Sequence, residues 1–336
     1  ERGRSTTRLV ASDKMRQDMI IGLKSQSTTT SIRGNIVESH QHEGWRVDCM
    51  QSELGVIGFV FEGRPNVLAD ATGVLKGGNT VVFRIGRDAL ETAKSIMKFA
   101  LNPALESSGL PLGSASLVEH TSHASGWALF SNNNLSLAVA RGSGAAVQTL
   151  GNLANQSGIP VSLHGTGGAW IIADDTANPN YFSKVVEHSL DRKVCNTLNV
   201  CCIQKSKATT FVPILLSALE AAGKNRSDTY KLHIVEGSES YFPQELFTKT
   251  ITISRPEGQQ KESQAELLSE QQLGHEWEWE NTPEITVKIV DSTEDAIQLY
   301  NQYSPQFVAS LISTSEDAQN EFYQKVNAPF VGNGFT

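Results

Sequence analysis

The chain has 336 residues, of which 39% are hydrophobic and 19% charged, with 27 glycines and 11 prolines. That balance excludes disordered, collagen-like and low-complexity classes, and the length suits two domains of about 150 residues each or one large α/β unit. Lysine and arginine number 28 against 36 acidic residues, a net charge of -8, which excludes nucleic acid and an anionic membrane as main partners but leaves room for a locally basic pocket holding a small anion.

Residues 1–25 place apolar positions (Leu9, Val10, Met15, Met19, Ile20) at helical spacing, and the tract Ser25 to Ser31 then predicts a loop. From Ile32 to Cys49 two strand-like runs flank the polar stretch Glu38 to Gly44, which predicts a hairpin. Gly55-Val-Ile-Gly-Phe-Val-Phe61 reads as a buried parallel strand ending at Glu62-Gly-Arg-Pro-Asn66. A helix over 67–76, a strand over Thr80 to Arg84, a helix over Ala89 to Ser108 and a strand over Ala115 to Glu119 follow. Leu135 to Ala140 is a further strand, Ala145 to Gln156 a helix and Val161 to Leu163 a fifth strand. This alternation predicts right-handed crossovers and a parallel sheet covered on both faces, with ligands beyond the carboxyl ends of the strands. Arg64 to Asn66, Arg84 to Arg87 and Arg141 to Gly144 all lie at such ends.

After Gly165-Thr-Gly-Gly168 the same kind of unit begins again. Strands are predicted at Trp170 to Ala173, Cys201 to Ile203, Ile285 to Val290 and Phe307 to Ser313, with helices at Tyr181 to Leu190, Phe211 to Ala222, Glu294 to Tyr300 and Glu316 to Lys325. The acidic region Glu257 to Glu280 reads as helix and surface loop. The expected fold is α/β, with a first parallel-sheet domain over 1–164, carrying the hairpin at about 31–50, and a second α/β domain over 165–336.

Four cysteines (Cys49, Cys195, Cys201, Cys202) in a chain of this length do not make a disulfide scaffold, and their spacing matches no zinc pattern, so no metal is expected. No apolar run approaches the roughly 18 residues of a membrane span, and Glu1 to Arg8 lacks the apolar core of a signal peptide. A cytoplasmic location is the expectation. Cys201 and Cys202 lie in an apolar strand and read as small buried hydrophobes. Asp191-Arg-Lys-Val-Cys-Asn196 is different, because Arg192 and Lys193 offer the positive charge that turns a thiol into a nucleophile. A cysteine flanked by basic residues also occurs with no catalytic role, and the residues alone leave both readings open. His120, His123, His188 and His233 show no ligand spacing and read as surface or core residues.

Taken together, Gly55-Val-Ile-Gly through Glu62-Gly-Arg-Pro-Asn66, Gly78-Asn-Thr-Val-Val-Phe-Arg84, Leu110-Pro-Leu-Gly113, Arg141-Gly-Ser-Gly144, Val194-Cys-Asn196 and Val290-Asp-Ser292 resemble the gamma-glutamyl phosphate reductase (glutamate-5-semialdehyde dehydrogenase) family. That family belongs to the aldehyde dehydrogenase superfamily and to proline biosynthesis. The likeness runs from about residue 1 to residue 330. It implies an aldehyde dehydrogenase-like fold: a Rossmann-type cofactor domain, a catalytic domain bearing the nucleophile, and an oligomerisation hairpin. No GxGxxG fingerprint is present.

By that resemblance Cys195 is the catalytic cysteine that attacks a γ-acyl phosphate, expels phosphate and leaves a thioester. Asn66 falls on the oxyanion-hole asparagine, although the residues alone favour an ordinary Asn after Pro in a turn. Arg64, Arg192, Lys193, Asn196 and His164 are candidates for substrate contacts, Arg64 with the better case because it is fixed beside Pro65. Hydrolytic aldehyde dehydrogenases carry a general-base glutamate in Glu-Leu-Gly-Gly. The matching stretch here is Leu163-His-Gly-Thr-Gly-Gly168, with His164 in that place, so water attack on the thioester is poorly served. On the cofactor side Arg84 sits where the superfamily often places a lysine toward the adenosine ribose. Ile85-Gly-Arg87 lacks the acidic residue that holds a free ribose diol, so Arg87 favours NADP(H), unless it is simply a solvated surface arginine. Arg141, Gly142 and Ser143 resemble the turn near the nicotinamide and pyrophosphate. Many members have Arg-x-Gly-Val-Cys-Asn where this chain has Arg192-Lys-Val-Cys-Asn, and an acidic residue where it has Thr166.

The resemblance implies NADPH-dependent reduction of L-glutamyl 5-phosphate by a homo-oligomer, with glutamate 5-kinase as a further partner. Two rivals are a hydrolytic aldehyde dehydrogenase of other specificity and a non-catalytic binding or assembly protein of the same fold. Family members begin before residue 1 and continue past Thr336, so segments at both ends, including part of the second domain, are expected to be missing.

Overall fold

The computed structural model describes residues 13–61, 67–191, 193–255 and 257–336. The chain divides into two compact units, the first ending at Gly165 and the second running from Thr166 to Thr336. Each is built on its own parallel sheet.

In the first unit helix α1 (Asp13–Thr28) continues into the Ser/Thr tract expected to be loop. Its hydroxyls explain the difference: Ser27, Thr28 and Thr29 each donate to the carbonyl three residues back, at 2.7, 2.8 and 2.8 Å, satisfying acceptors that a helix end otherwise leaves open. Strands β1 (Ile36–His42) and β2 (Trp45–Met50) form an antiparallel hairpin. Its turn takes only Glu43 and Gly44, with Gly44 at φ 81°, so the polar stretch Glu38 to His42 is strand and not connection. A two-stranded ribbon with water on its faces accepts polar residues, and here Ser39 donates to Asp48 across the strands while the His42 and Trp45 rings stack at 3.9 Å.

The first sheet comprises β3 (Val56–Phe61), β4 (Thr80–Ile85), β5 (Ala115–Val118), β6 (Leu137–Arg141) and β7 (Val161–His164) in the order β5-β4-β3-β6-β7, all parallel. Helices α2 (Val67–Lys76), α3 (Leu90–Ile96), α4 (Asn102–Ser107), α5 (His123–Phe130) and α6 (Gly144–Gln156) connect them. The helix predicted over 89–108 is interrupted by a π turn, Met97–Leu101, just before Pro103. Proline has no N–H to donate, and the wider turn accommodates it. Helix α5 escaped the sequence reading because Gly126 sits inside it and Ser/Asn residues flank it. A core of Phe59, Phe61 and Phe83, with ring centroids 5.3 to 6.2 Å apart, fills one face of the sheet. The strand order reverses between β3 and β6, the place in an open α/β sheet where a crevice forms.

In the second unit β8 (Ala169–Ala173), helix α7 (Pro179–His188), β9 (Leu198–Gln204), α8 (Ala208–Asn225) and β10 (Lys231–Val235) lead to a short helix α9 (Glu245–Thr248). The hairpin of β11 (Thr250–Arg255) and β12 (Gly258–Ser263) follows, then β13 (Ala265–Leu268), β14 (Glu284–Val290), α10 (Thr293–Tyr303), β15 (Val308–Ile312), α11 (Glu316–Lys325) and β16 (Phe330–Gly332). Seven strands run parallel in the order β13-β10-β14-β9-β8-β15-β16. Alternate residues of β8 and β9 feed opposite faces: Ile171 and Cys201 join Phe182 and Phe211 on one, while Trp170 and Cys202 join Tyr300 and Phe322 on the other. Both cysteines are fully buried, as their apolar strand suggested.

The acidic region is therefore not helix and surface loop; β12 and β13 lie within it. Gly258 to Lys261 of β12 are exposed, whereas Glu262 and Glu266 serve a buried charge cluster. Lys231, on β10 and fully buried, meets Glu262 at 2.6 Å and Glu266 at 3.2 Å. His233 lies 2.7 Å from Glu284 and 3.0 Å from Glu266, and Arg255 joins Glu262 and Glu284 at 2.8 Å. The Arg255 hydrogen bond holds the Glu262 carboxyl down at about 2. Burial alone would raise Glu284, yet His233 and Arg255 hold it below the ordinary value. Buried charges demand partners, and that requirement overrides the missing apolar alternation.

Candidate active site

Cys195 occupies a turn immediately before β9, half-buried, with a free thiol. It differs physically from Cys201 and Cys202. Burial pushes the Cys201 thiol well up and Cys202 to about 12, which makes both inert as nucleophiles. The turn is closed on itself by Thr197, whose hydroxyl accepts from the Val194 N–H at 2.8 Å and whose own N–H donates to the Val194 carbonyl at 3.1 Å.

A glycine pair walls the turn. The Cys195 carbonyl accepts from the Gly168 N–H at 2.7 Å, and a Cβ on Gly167 would fall 2.5 Å from that oxygen and 2.7 Å from the Cys195 Cα. Gly168 has φ 108° and a Cβ there would meet Asn199 at 2.9 Å. Gly-Gly at 167–168 is thus needed for close backbone approach and for left-handed geometry.

The irregular segment 274–283 packs on the same turn. Glu276 accepts from the Gly167 N–H at 2.6 Å and meets Lys193 Nζ at 2.5 Å. Lys193, a candidate for steadying a thiolate or anionic substrate, is thereby neutralised by a carboxylate. Asn199 donates to the His275 carbonyl at 2.8 Å and accepts from the Trp277 N–H at 3.0 Å. Arg226 donates to the carbonyls of Asp191, Glu280 and Asn281. Asn196 is exposed. Arg192 lies outside the described residues, as do Arg64 and Asn66.

The first unit gathers another set. Register pairs Arg141 with His164 at the carboxyl ends of β6 and β7, and the Gly142 N–H donates to the His164 carbonyl at 3.2 Å. Ser143 then precedes α6, and Gly165 packs so closely that a Cβ on it would lie 3.1 Å from the Gly144 Cα. A cavity of about 150 Å³ opens between α5 and α6, lined by Arg84, Gly126, Trp127, Thr149 and Leu150 among others. Arg84 is buried and donates to the carbonyls of Thr121 and Ser122 at 2.9 and 3.1 Å. Arg87 is exposed in the turn after β4. Among the described residues no cluster of His, Cys, Asp and Glu could hold a metal ion, and no helix is long and apolar enough to cross a membrane.

No family model matches the chain. It is 28% identical over 329 residues to a gamma-glutamyl phosphate reductase of Thermoanaerobacter sp. (strain X514), covering 96% of this chain and 72% of that protein. A protein of the same name from Limosilactobacillus reuteri (strain DSM 20016) is 27% identical over 332 residues, covering 97% and 72%. The chain is a relative of the gamma-glutamyl phosphate reductases. The crystal structure of the reductase of that name from Thermotoga maritima superposes with a TM-score of 0.80 at 22% identity, covering 99% of this chain and 75% of that one. A propionaldehyde dehydrogenase from Clostridium phytofermentans gives 0.65 at 16% identity, covering 94% and 74%. The fold is aldehyde dehydrogenase-like.

Reading the sequence of this reductase relative missed Glu276 and the role of Gly167. The run His275-Glu-Trp-Glu-Trp-Glu280 alternates aromatic and acidic residues, a signal that its acids are not all solvated, but nothing in it singles out Glu276. Gly167 was visible only as part of a glycine-rich break between two units.

Proposed function

We propose that this chain reduces L-glutamyl 5-phosphate to L-glutamate 5-semialdehyde with NADPH, releasing phosphate, as a soluble cytoplasmic enzyme of proline biosynthesis. The observation that carries this reading is the likeness along 96% of the chain to relatives named gamma-glutamyl phosphate reductase. The placement of Cys195 supports it, since the half-buried thiol is the one of the three cysteines in this unit that is not sealed in the core.

In this mechanism the Cys195 thiolate attacks the γ-acyl carbon, the acyl–phosphate bond breaks, and phosphate leaves with its electron pair. The Cys195 N–H and the Asn66 side chain donate to the developing oxyanion. When bound, the nicotinamide supplies the hydride that reduces the thioester. Cys195 then leaves as thiolate when the thiohemiacetal collapses to the aldehyde. Arg64 and Arg192 are assigned to the anionic substrate. Position 164 offers an imidazole where a hydrolytic enzyme has its carboxylate, so the thioester is preserved for reduction.

The residues of the first unit fit a dinucleotide. Helix α6 presents its N-terminal amides after Arg141-Gly-Ser143 at the carboxyl end of β6, a geometry suited to phosphate, and the α5–α6 cavity next to Arg84 has room for part of the adenosine. Arg87 is assigned to the 2′-phosphate of NADP(H). The exposed apolar residues Ile36, Val37, Trp45, Val47 and Met50 of the hairpin are assigned to a homo-oligomer contact, and glutamate 5-kinase to a second partner.

An assay in the reverse direction, with glutamate semialdehyde, NADP and phosphate, tests the reading. Reduction of NADP that requires phosphate is the expected result. Phosphate-independent oxidation supports the hydrolytic rival, and a folded chain without turnover supports a binding or assembly protein.

A further inference from the structure

Glu276 is 81 residues from Cys195 in sequence, yet its carboxylate reaches both walls of the nucleophile turn. One oxygen accepts from the N–H of Gly167, the residue whose backbone abuts Cys195; the other meets the Nζ of Lys193, two residues before the thiol. The side chains of Lys193 and Glu276 are only 5% and 16% exposed. This is no solvated surface pair of the kind that contributes little. We propose that Glu276 is a positioning residue for the Cys195 nucleophile, holding the Gly167 backbone in place and compensating the charge of Lys193 beside the thiol.

The segment carrying Glu276 has its own anchors. Asn199 binds the backbone on both sides of it, at His275 and Trp277. The Trp277 ring stacks on His233 with centroids 3.4 Å apart, and its indole N–H donates to Thr286 at 2.8 Å. Removing the carboxylate therefore leaves the segment seated. Glutamine at 276 separates the two duties: its amide oxygen still accepts from Gly167, but it carries no charge to balance Lys193. Lys193→Met makes the opposite change, leaving a carboxylate uncompensated. An uncompensated cation favours the thiolate and an uncompensated anion disfavours it.

The experiment measures the rate at which iodoacetamide alkylates Cys195 at neutral pH, read by mass spectrometry of the peptide, with melting curves to verify folding. Glu276→Gln should react about 3- to 10-fold faster than the unaltered chain and Lys193→Met slower by a similar factor. The double variant should return to within about twofold of the starting rate, because the pair is then neutral. In turnover, Glu276→Ala, which also takes the acceptor from Gly167, should lower kcat about 10-fold or more with KM for NADPH changed less than about twofold. Alkylation rates unchanged in both single variants, with only the melting temperature lowered, would reduce the pair to a structural one and overturn the proposal. So would a double variant that keeps the Glu276→Gln rate.

The turnover arm rests on the reductase reading, whereas alkylation needs neither substrate nor cofactor. A chain inert in the reverse assay but showing the alkylation cycle refutes the reductase reading alone; an active chain without the cycle refutes this proposal alone.

Discussion

A Cβ on Gly167 would lie 2.5 Å from the carbonyl oxygen of Cys195. No rotamer relieves such a contact, because a Cβ is fixed by its own backbone and the atom it meets is a backbone carbonyl, so the turn bearing the thiol and the strand entry at 167–169 are packed backbone against backbone.

Gly167→Ala should therefore push the nucleophile turn out of place. We expect a loss of about 1–3 kcal/mol in stability from overpacking and a fall in kcat of about 10-fold or more from misplacing the thiol. Denaturant melts and steady-state turnover check the two effects separately; an alanine variant with full activity would show that the close approach is unimportant.

Thiol labelling should divide the cysteines by environment. In the folded chain iodoacetamide should modify Cys49, which is exposed, and Cys195, while Cys201 and Cys202, with no exposed surface, react only after unfolding. Cys195→Ser should remove one of the two native labels and abolish turnover with the melting temperature preserved. Substantial residual activity would take Cys195 out of the mechanism.

Acid should weaken the second unit through its charge cluster. Glu262 is held at about 2 in the folded chain against an ordinary 4.5. A depressed carboxyl contributes stability that is complete above about 4.5 and is lost as pH falls toward about 2. Melting temperatures recorded from about pH 6 down to about pH 2 should show the decline, and Glu262→Gln should make it shallower. At neutral pH the same substitution should cost about 2 kcal/mol, since Lys231 and Arg255 each lose a charged partner. An unchanged acid profile in the variant would remove Glu262 from the cause.

Cofactor choice is tested at Arg87. If it binds the 2′-phosphate, Arg87→Ala should weaken NADPH about 10-fold and NADH less than about twofold, read by fluorescence titration. Equal losses for both would assign Arg87 to something other than the phosphate.

The amino-acid order alone was enough to reveal the two parallel sheets, because buried parallel strands such as Val56–Phe61 and Ala169–Ala173 are short continuous apolar runs between helical periods. The helices expected from Glu294 and Glu316 are present, each capped by a serine side chain, Ser292 and Ser315, with acids in the first turn. Cys195 stood out by its basic neighbours, and the family motifs placed it. Where the pattern failed at β10, long-range electrostatics was the reason. Strand β10 carries the buried Lys231 and His233, which meet Glu262, Glu266 and Glu284 across the fold, and the first four residues of β12 face solvent, so no local apolar period announces either strand. The meeting of Lys193 with Glu276, 83 residues apart, was likewise decided by tertiary structure alone. Local spacing encodes which face of a strand or helix is buried; it does not encode which distant carboxylate a buried lysine will find.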